Sequence, residues 1–364
     1  MAYRVVQWST GNVGKWALRG IIDHPALELA GVWVSNPAKN GRDAGELAGL
    51  DHPVGIHATT DADQLIAAAP DCVVYTAMAD NRLTEAIDDL CLLLRAGINV
   101  VASGPVFLSY PEGTVPPELV EPVRKAAAEG RSSLWVNGID PGWANDWLPL
   151  LLSGTCQRID LIRCSEITDY STYDNPLVLF DIMGFGTPLD HTPLLLQPGV
   201  LSLAWGSVVR QLAAALDVPL DSVVEHHERL PAPEPFTAAG RTIAEGTMAA
   251  LRFTVSGMIA DQPVLVLEHV TRLRPDLAPD WPQPAGTGCY RVEITGEPNY
   301  VLDLRLTGGD GDHNTAGVAS TAMRLVNAVP AVVDAPPGLL TALDLPLTTG
   351  RGLVSVPGRH VTNT

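Results

Sequence analysis

Two short stretches of the sequence collect side chains that can move protons. In "EITDYSTYDNP" Glu166, Asp169, Tyr170 and Tyr173 crowd together, and "NGIDPGWANDW" supplies Asp140, Asn145 and Asp146. A tyrosine hydroxyl can donate to a carbonyl oxygen, and a carboxyl group withdrawn from water keeps its proton to higher pH. These are the parts of a general acid–base site. Asp140, Glu166 and Tyr173 are the candidate catalytic groups, and Asn145 and Tyr170 are candidates for contact with a small-molecule substrate. Plainer readings stay open: a loop after a strand for 166–173, and a helix cap for Asp140, which precedes Pro141. His191 in "PLDHTP" and His313 in "GDGDHN" stand alone, so no metal site is expected and both are placed on the surface.

A third stretch, "VVQWSTGNVGKWALRGIIDHP" at residues 5–25, runs from an apolar strand through a glycine turn into a helix. Small residues in such a turn let backbone approach a pyrophosphate, and the helix start offers it free N–H groups. Ser9, Thr10, Gly11, Asn12, Val13 and Gly14 form the turn. Gly11 and Gly14 are the second and third glycines of GxGxxG, and Ser9 stands at the first. The next strand is expected to end at Ser35, 21 residues after Gly14, where a dinucleotide's ribose is read. Ser35 and Asn36, followed by Lys39 and Arg42, suit a 2′-phosphate, so NADP is favoured and NAD remains possible. Lys39 and Arg42 could equally be solvated loop charges. At later strand ends, Thr76, Ala77, Ser103, Gly104 and Pro105 fit the walls around a nicotinamide ribose and ring.

These residues need a scaffold, and the chain is long enough to build one. Its 364 residues, 46% hydrophobic, exceed the ~250–300 at which single cores stop growing, which predicts two domains. A net charge of −18 with no Lys/Arg-rich tract argues against nucleic acid and anionic membrane as partners. The start "MAYRVVQWSTG" lacks the pattern of a signal peptide, and no apolar run approaches the ~20 residues of a membrane span, so a cytoplasmic location is expected. Five cysteines without CxxC spacing read as reduced thiols.

Strand and helix patterns alternate through the first ~140 residues, as in βαβ units. The strands are "VVQW", "LELAGVWVS", "DCVVYTAM", "NVVAS" and "SSLWVNG"; the helices are "KWALRGIIDHP", "DADQLIAAAP", "LTEAIDDLCLLLRAG" and "LVEPVRKAAAEG". After Gly138 come long strands, "RIDLIRCSEITDY", "MAALRFTVSGMI", "PVLVLEHVTRLR", "GCYRVEITG" and "YVLDLRLTG", with one helix, "LSLAWGSVVRQLAAAL". "PAPEPFTAAG" and "RPDLAPDWPQPAG" read as loops. The fold class is α/β: an N-terminal Rossmann, doubly wound parallel sheet at 1–142, then an α+β domain on a mixed or antiparallel sheet at 143–314. A helix over 315–335 is expected to pack back on the first domain.

"STGNVG", "PAKNGRDAGEL", "VNGIDPGWANDWLP" and "TAMRLVNAVPAVVDAPPGL" together resemble the dihydrodipicolinate reductase-like superfamily, in its branch of 2,4-diaminopentanoate dehydrogenase and the native NAD(P)-dependent amine dehydrogenases. The resemblance covers nearly the whole chain. It implies a Rossmann domain, an α+β domain, a cleft between them, usually a homodimer, and NAD(P)-dependent oxidation of an amine, run in reverse as reductive amination. A dihydrodipicolinate reductase also carries a histidine pair with a nearby lysine, whereas His226 and His227 here have none following. The amine dehydrogenases place a glutamate in a segment like "EELSYP"; here "SGPVFLSYP" puts Val106 and Phe107 in that place. The pocket is thereby expected to be greasier and to take a neutral substrate. The expectation is an NAD(P)H-dependent oxidoreductase acting on a small, largely apolar carbonyl, imine or amine. Its rival is a non-catalytic NADP-binding sensor or partner protein.

Overall fold

The computed structural model describes residues 2–354 and divides the chain into two compact units. The first comprises the chain up to Ser109, Pro116–Gly138 and the chain from Val318 onward; the second is Tyr110–Val115 with Ile139–Gly317.

In the first unit the order is β1 (Tyr3–Trp8), α1 (Asn12–Asp23), β2 (Leu27–Trp33), α2 (Ala44–Ala48), β3 (Ala58–Thr59), α3 (Ala62–Ala67), β4 (Cys72–Tyr75), α4 (Leu83–Arg95), β5 (Asn99–Ala102), α5 (Pro117–Gly130) and β6 (Ser133–Val136). The strands lie in the order β6-β5-β4-β1-β2-β3, with Gly338–Leu340 outside β6, and every pairing is parallel. This is the doubly wound arrangement expected. Helices cover both faces, so the strands can be apolar throughout: Val5, Val6, Val73, Val74, Val100 and Val101 are all buried. In α1 the buried positions Gly14, Ala17, Leu18 and Ile21 repeat at helical spacing, giving one stripe toward the sheet. β2 stops at Trp33, two residues before the expected Ser35.

In the second unit the order is α6 (Trp147–Ser153), β7 (Arg158–Asp169), α7 (Val200–Ala215), β8 (Ser222–Pro231), β9 (Phe236–Ala238), β10 (Arg241–Ile243), β11 (Met248–Ile259), β12 (Gln262–Arg272), β13 (Gly288–Glu297) and β14 (Tyr300–Leu304). Six strands form one sheet, β14-β13-β7-β12-β11-β8; β7 and β12 are parallel and the other neighbours antiparallel. Val208, Val209 and Leu212 of α7 share a core with Phe253, Val255, Leu265 and Leu267.

The structure corrects several expectations. "PAPEPFTAAG", expected as a loop, contains β9, which pairs with β10 across Ala239 and Gly240, both at positive φ. β8 was not foreseen, because it is an edge strand whose residues stay largely accessible. A final helix, α8 (His313–Val333), is by length and apolar content able to cross a membrane, against the expectation that no run was long enough. Its Ala322, Leu325, Val326, Val329 and Val332 lie in the first unit's core, which accounts for that composition.

One buried cation organises the segment after β12. Arg272, 2% exposed, donates from Nε to the Leu277 carbonyl (2.8 Å) and from Nη2 to those of Ala278 (3.1 Å) and Pro282 (2.8 Å). We expect Arg272→Met, which keeps the aliphatic stem and strands these carbonyls, to destabilise the second unit by about 2–4 kcal/mol in urea unfolding. A change below about 0.5 kcal/mol would mean the carbonyls find water instead.

Candidate active site

The turn between β1 and α1 is built from the strand outward. Gln7 is a fully buried polar residue inside β1, and its Nε2 donates to the Ser9 carbonyl and to Thr76 Oγ1, each at 2.7 Å. The Thr76 hydroxyl lies 3.1 Å from the Trp8 carbonyl. Ser9, at the first-glycine position, has φ +77°, the left-handed region that glycine favours. A Cβ on Gly14 would lie 2.3 Å from the Ser9 carbonyl oxygen and 2.7 Å from Thr76 Oγ1, whereas one on Gly11 would meet no protein atom. The two glycines therefore do different work: Gly14 lets α1 close on β1, and Gly11 leaves the backbone approachable from outside. The open backbone at the start of a 12-residue helix fits a dinucleotide's pyrophosphate.

The following loop is tied to the same turn. Lys39 reaches back with Nζ 2.9 Å from the Thr10 carbonyl and 3.0 Å from its hydroxyl. Burial, then repulsion from Arg42, holds the Lys39 amine below its ordinary pKa. Ser35 and Asn36 are exposed, and the Asn36 side chain accepts from the Ala38 N–H at 2.9 Å. Arg42 pairs with Glu46 at 2.8 Å, as a surface helix pair would. Ala77 and the Ser103, Gly104, Pro105 turn follow β4 and β5 directly, with the Ser103 N–H on the Tyr75 carbonyl. Val106 and Phe107 begin a 3-10 turn in which Phe107 is buried.

The second unit gathers the proton-moving groups into one cluster. Phe253, His269, Glu166 and Tyr290 are successive register partners on β11, β12, β7 and β13, and so form one row across the sheet. His269 Nε2 lies 2.8 Å from Glu166 Oε2, with both side chains under a tenth exposed. Thr271 Oγ1 holds the other ring nitrogen at 2.7 Å. The Tyr170 hydroxyl donates to Glu166 at 3.2 Å, and the Tyr290 hydroxyl bonds the same carboxylate. Asp140 accepts from Trp205 Nε1 at 2.8 Å and from Asn145. Aromatic rings enclose the group: Phe253 stacks on His269 at 5.0 Å, and Tyr173 on Tyr170 at 4.7 Å.

These surroundings separate the two carboxyls. Burial, then the negative charge of Glu166, pushes Asp140 up to about 7. Burial works the same way on Glu166, but the charge and hydrogen bond of His269 outweigh it and hold Glu166 below its usual value. His269 is raised above its ordinary value, because Glu166 overcomes the burial that alone would lower it. Tyr170 and Tyr290 are pushed well up, chiefly by burial and then by Glu166, so both stay protonated as donors.

Asp140, Glu166, Tyr170, Tyr173 and Asn145, chosen from two separate stretches, therefore lie in one neighbourhood. The helix-cap alternative falls to Asp146, which caps α6 with a bond from the Trp147 N–H. Asp169 holds its own turn through the Ser171 N–H. His313, expected on the surface, is 3% exposed and packs its ring against Tyr290. Sequence reasoning missed His269, Tyr290, Trp205 and Gln7. The available signal was a polar residue at an inward position of an otherwise apolar strand, in "LEHV" and "VVQW".

Comparison with known proteins points the same way. The family described as the 2,4-diaminopentanoate dehydrogenase C-terminal domain matches residues 144–354. An amine dehydrogenase of Streptomyces virginiae is 45% identical over 353 residues, covering 95% of this chain and 97% of that protein. A 2,4-diaminopentanoate dehydrogenase of Acetoanaerobium sticklandii is 25% identical over 280 residues, covering 74% and 72%. Among solved structures, an amine dehydrogenase from Mycobacterium smegmatis superposes with a TM-score of 0.76 at 23% identity, over 96% of this chain and 97% of that one.

The two glycines of the turn make a paired test. Gly14→Ala should lower stability by about 1–3 kcal/mol, because backbone atoms block its new methyl. Gly11→Ala should leave stability within about 0.5 kcal/mol of wild type and weaken dinucleotide binding, measured by NADPH fluorescence. Equal effects on folding would refute this division.

Proposed function

Since the chain belongs to the 2,4-diaminopentanoate dehydrogenase family and is an NAD(P)-dependent oxidoreductase, we propose that it interconverts a small, largely apolar primary amine and its carbonyl compound. Asp140 and Glu166 handle the proton in place of the acid absent at Val106 and Phe107. The observation that carries this reading is the enclosure of two carboxylates with opposite pKa shifts by one aromatic cluster. The rival reading, a non-catalytic sensor, finds no support among the relatives.

Bound NAD(P) supplies the hydride acceptor for amine oxidation or the donor for imine reduction. The ammonium group loses a proton to a carboxylate, the carbon loses hydride, and water replaces nitrogen with release of ammonium. In total, amine cation, NAD(P)+ and water give carbonyl, ammonium, NAD(P)H and one proton. Glu166 holds negative charge against the developing iminium, and the surrounding rings exclude water and strengthen that attraction.

For the cofactor we favour NADPH, supported by Lys39 on the turn and by the absence of a carboxylate at Ser35 and Asn36. Lys39→Ala should weaken NADPH about tenfold or more while sparing NADH; equal losses for both would contradict a 2′-phosphate contact. A homodimer is supported by the sheet face carrying Arg163, Arg252, Glu228 and Glu293, whose mixed charge can meet a second copy. The five cysteines are free thiols, in keeping with the cytoplasm.

The decisive assay follows NADPH consumption with a panel of ketones, with and without ammonia. Turnover should require ammonia, and Asp140→Asn should lower kcat about 10²–10⁴-fold with NADPH affinity unchanged. Below about pH 7 Asp140 holds its proton, so amine oxidation should fall there, while reductive amination, which needs the acid, should fall above it. Ammonia-independent ketone reduction would overturn the amine reading.

A further inference from the structure

Glu166 and Asp140 differ in how much hydrogen-bonding capacity they have left. A carboxylate offers roughly four lone-pair sites. Glu166 already faces His269, Tyr170 and Tyr290, and it is 6% exposed. Asp140 receives only Trp205 and Asn145. A carboxylate surrounded by donors and paired with a cation is a fixed charge; one with bonding capacity to spare can exchange a proton.

His269 creates this difference. Thr271 fixes the ring from behind at 2.7 Å, and Phe253 stacks on it with only 6° between the planes. The ring therefore cannot turn from Glu166 without losing both contacts. We propose that His269 is a positioning residue that divides the labour between the carboxylates: its imidazolium holds Glu166 as a permanent anion, leaving Asp140 to give and take the proton. This rests on the amine reading of the preceding section and adds to it which carboxylate reacts and what makes it so.

The titratable neighbours agree with this. From β7 come Glu166 and Cys164, from the loop after it Tyr170 and Tyr173, from β13 Tyr290, from the start of α8 His313, and from the segment before α6 Asp140 and Asp146. The thiol and the phenols of Tyr170 and Tyr290 stay neutral, since burial pushes all three up. Asp146 is committed to the α6 cap. Among the carboxyls, a second proton carrier would have to be Glu166 itself, and among the described residues His269 is the cation paired directly with it.

The test combines a pH profile with a measurement that needs no turnover. In wild type, the kcat/KM limb for amine oxidation should follow one proton. In His269→Gln, which can keep the hydrogen bonds but loses the charge, Glu166 should titrate together with Asp140, giving a two-proton limb that extends to higher pH. A one-proton limb at the wild-type position, whatever the loss in kcat, would overturn the proposal. Should that variant fail to fold, Thr271→Val, which frees the ring, should move the limb the same way. Independently, NMR of histidine ring nitrogens in the full-length protein should show His269 doubly protonated at pH 6.5, with Glu166→Gln lowering its midpoint. A neutral ring at that pH, or an unmoved midpoint, would also overturn it. If the ring titrates as expected but wild type converts no amine, the fault lies with the amine reading and not with the pairing.

Discussion

A buried carboxylate is tolerated only when a counter-charge and donors are buried with it, because an unpaired one costs several kcal/mol. For Glu166 that counter-charge is His269, and the second unit's sheet is registered around the pair. β7 and β12 are the two parallel neighbours in the sheet, and their pairing sets Glu166 beside His269. A slip of one residue would bring Glu268 beside Glu166 and turn His269 to the other face. Glu268 is itself buried, but on the opposite face, where Arg252 reaches it at 2.7 Å, Ser165 at 2.9 Å and Arg163 at 3.5 Å. Two buried carboxylates on adjacent positions of neighbouring strands thus each find a cation in only one register. The charges specify the alignment that the apolar positions of these strands would leave less distinct.

The first unit follows the same logic with a neutral group. Gln7 interrupts the apolar run of β1, and its amide bonds fix the Ser9 carbonyl and Thr76 from below. They support a serine in a backbone conformation that costs non-glycine residues about 1 kcal/mol or more. The incomplete glycine motif is therefore no defect of the turn. Ser9 adopts the shape a glycine would take, and Gly14 is kept where a methyl has no room.

This explains why the two halves differed in legibility. Dinucleotide binding is largely backbone chemistry, and its glycine turn, strand rhythm and helix start are local, so they could be read from residues 5–25. The alternation of β7, β11, β12 and β13 was legible for the same reason. β8 was not: "SVVEHHERLP" lies at an edge, where neither periodicity nor burial constrains it strongly. The acid–base cluster was half legible. Asp140, Glu166 and Tyr170 announced themselves by type, but His269 lies about a hundred residues from Glu166 in sequence and meets it only through strand pairing. No local pattern encodes that meeting, and the same holds for Tyr290.

The aromatic surroundings of the cluster bear on the proton chemistry proposed for Asp140 and Glu166. Glu166 is held in a sheet row, while Asp140 sits in the segment before α6 and is fixed by Trp205 and Asn145. Phe253, Trp205, Tyr170 and Tyr173 remove water around Asp140 and Glu166, which raises the proton affinity of one and strengthens the pairing of the other. The phenol and indole groups do this while still donating hydrogen bonds, which aliphatic side chains could not. Their π-faces also attract an ammonium or iminium ion, adding to the carboxylates instead of competing with them. Phe253 comes from a strand, Trp205 from α7, and Tyr170 and Tyr173 from the loop after β7, so three kinds of element assemble the environment of the two carboxyls within the second unit.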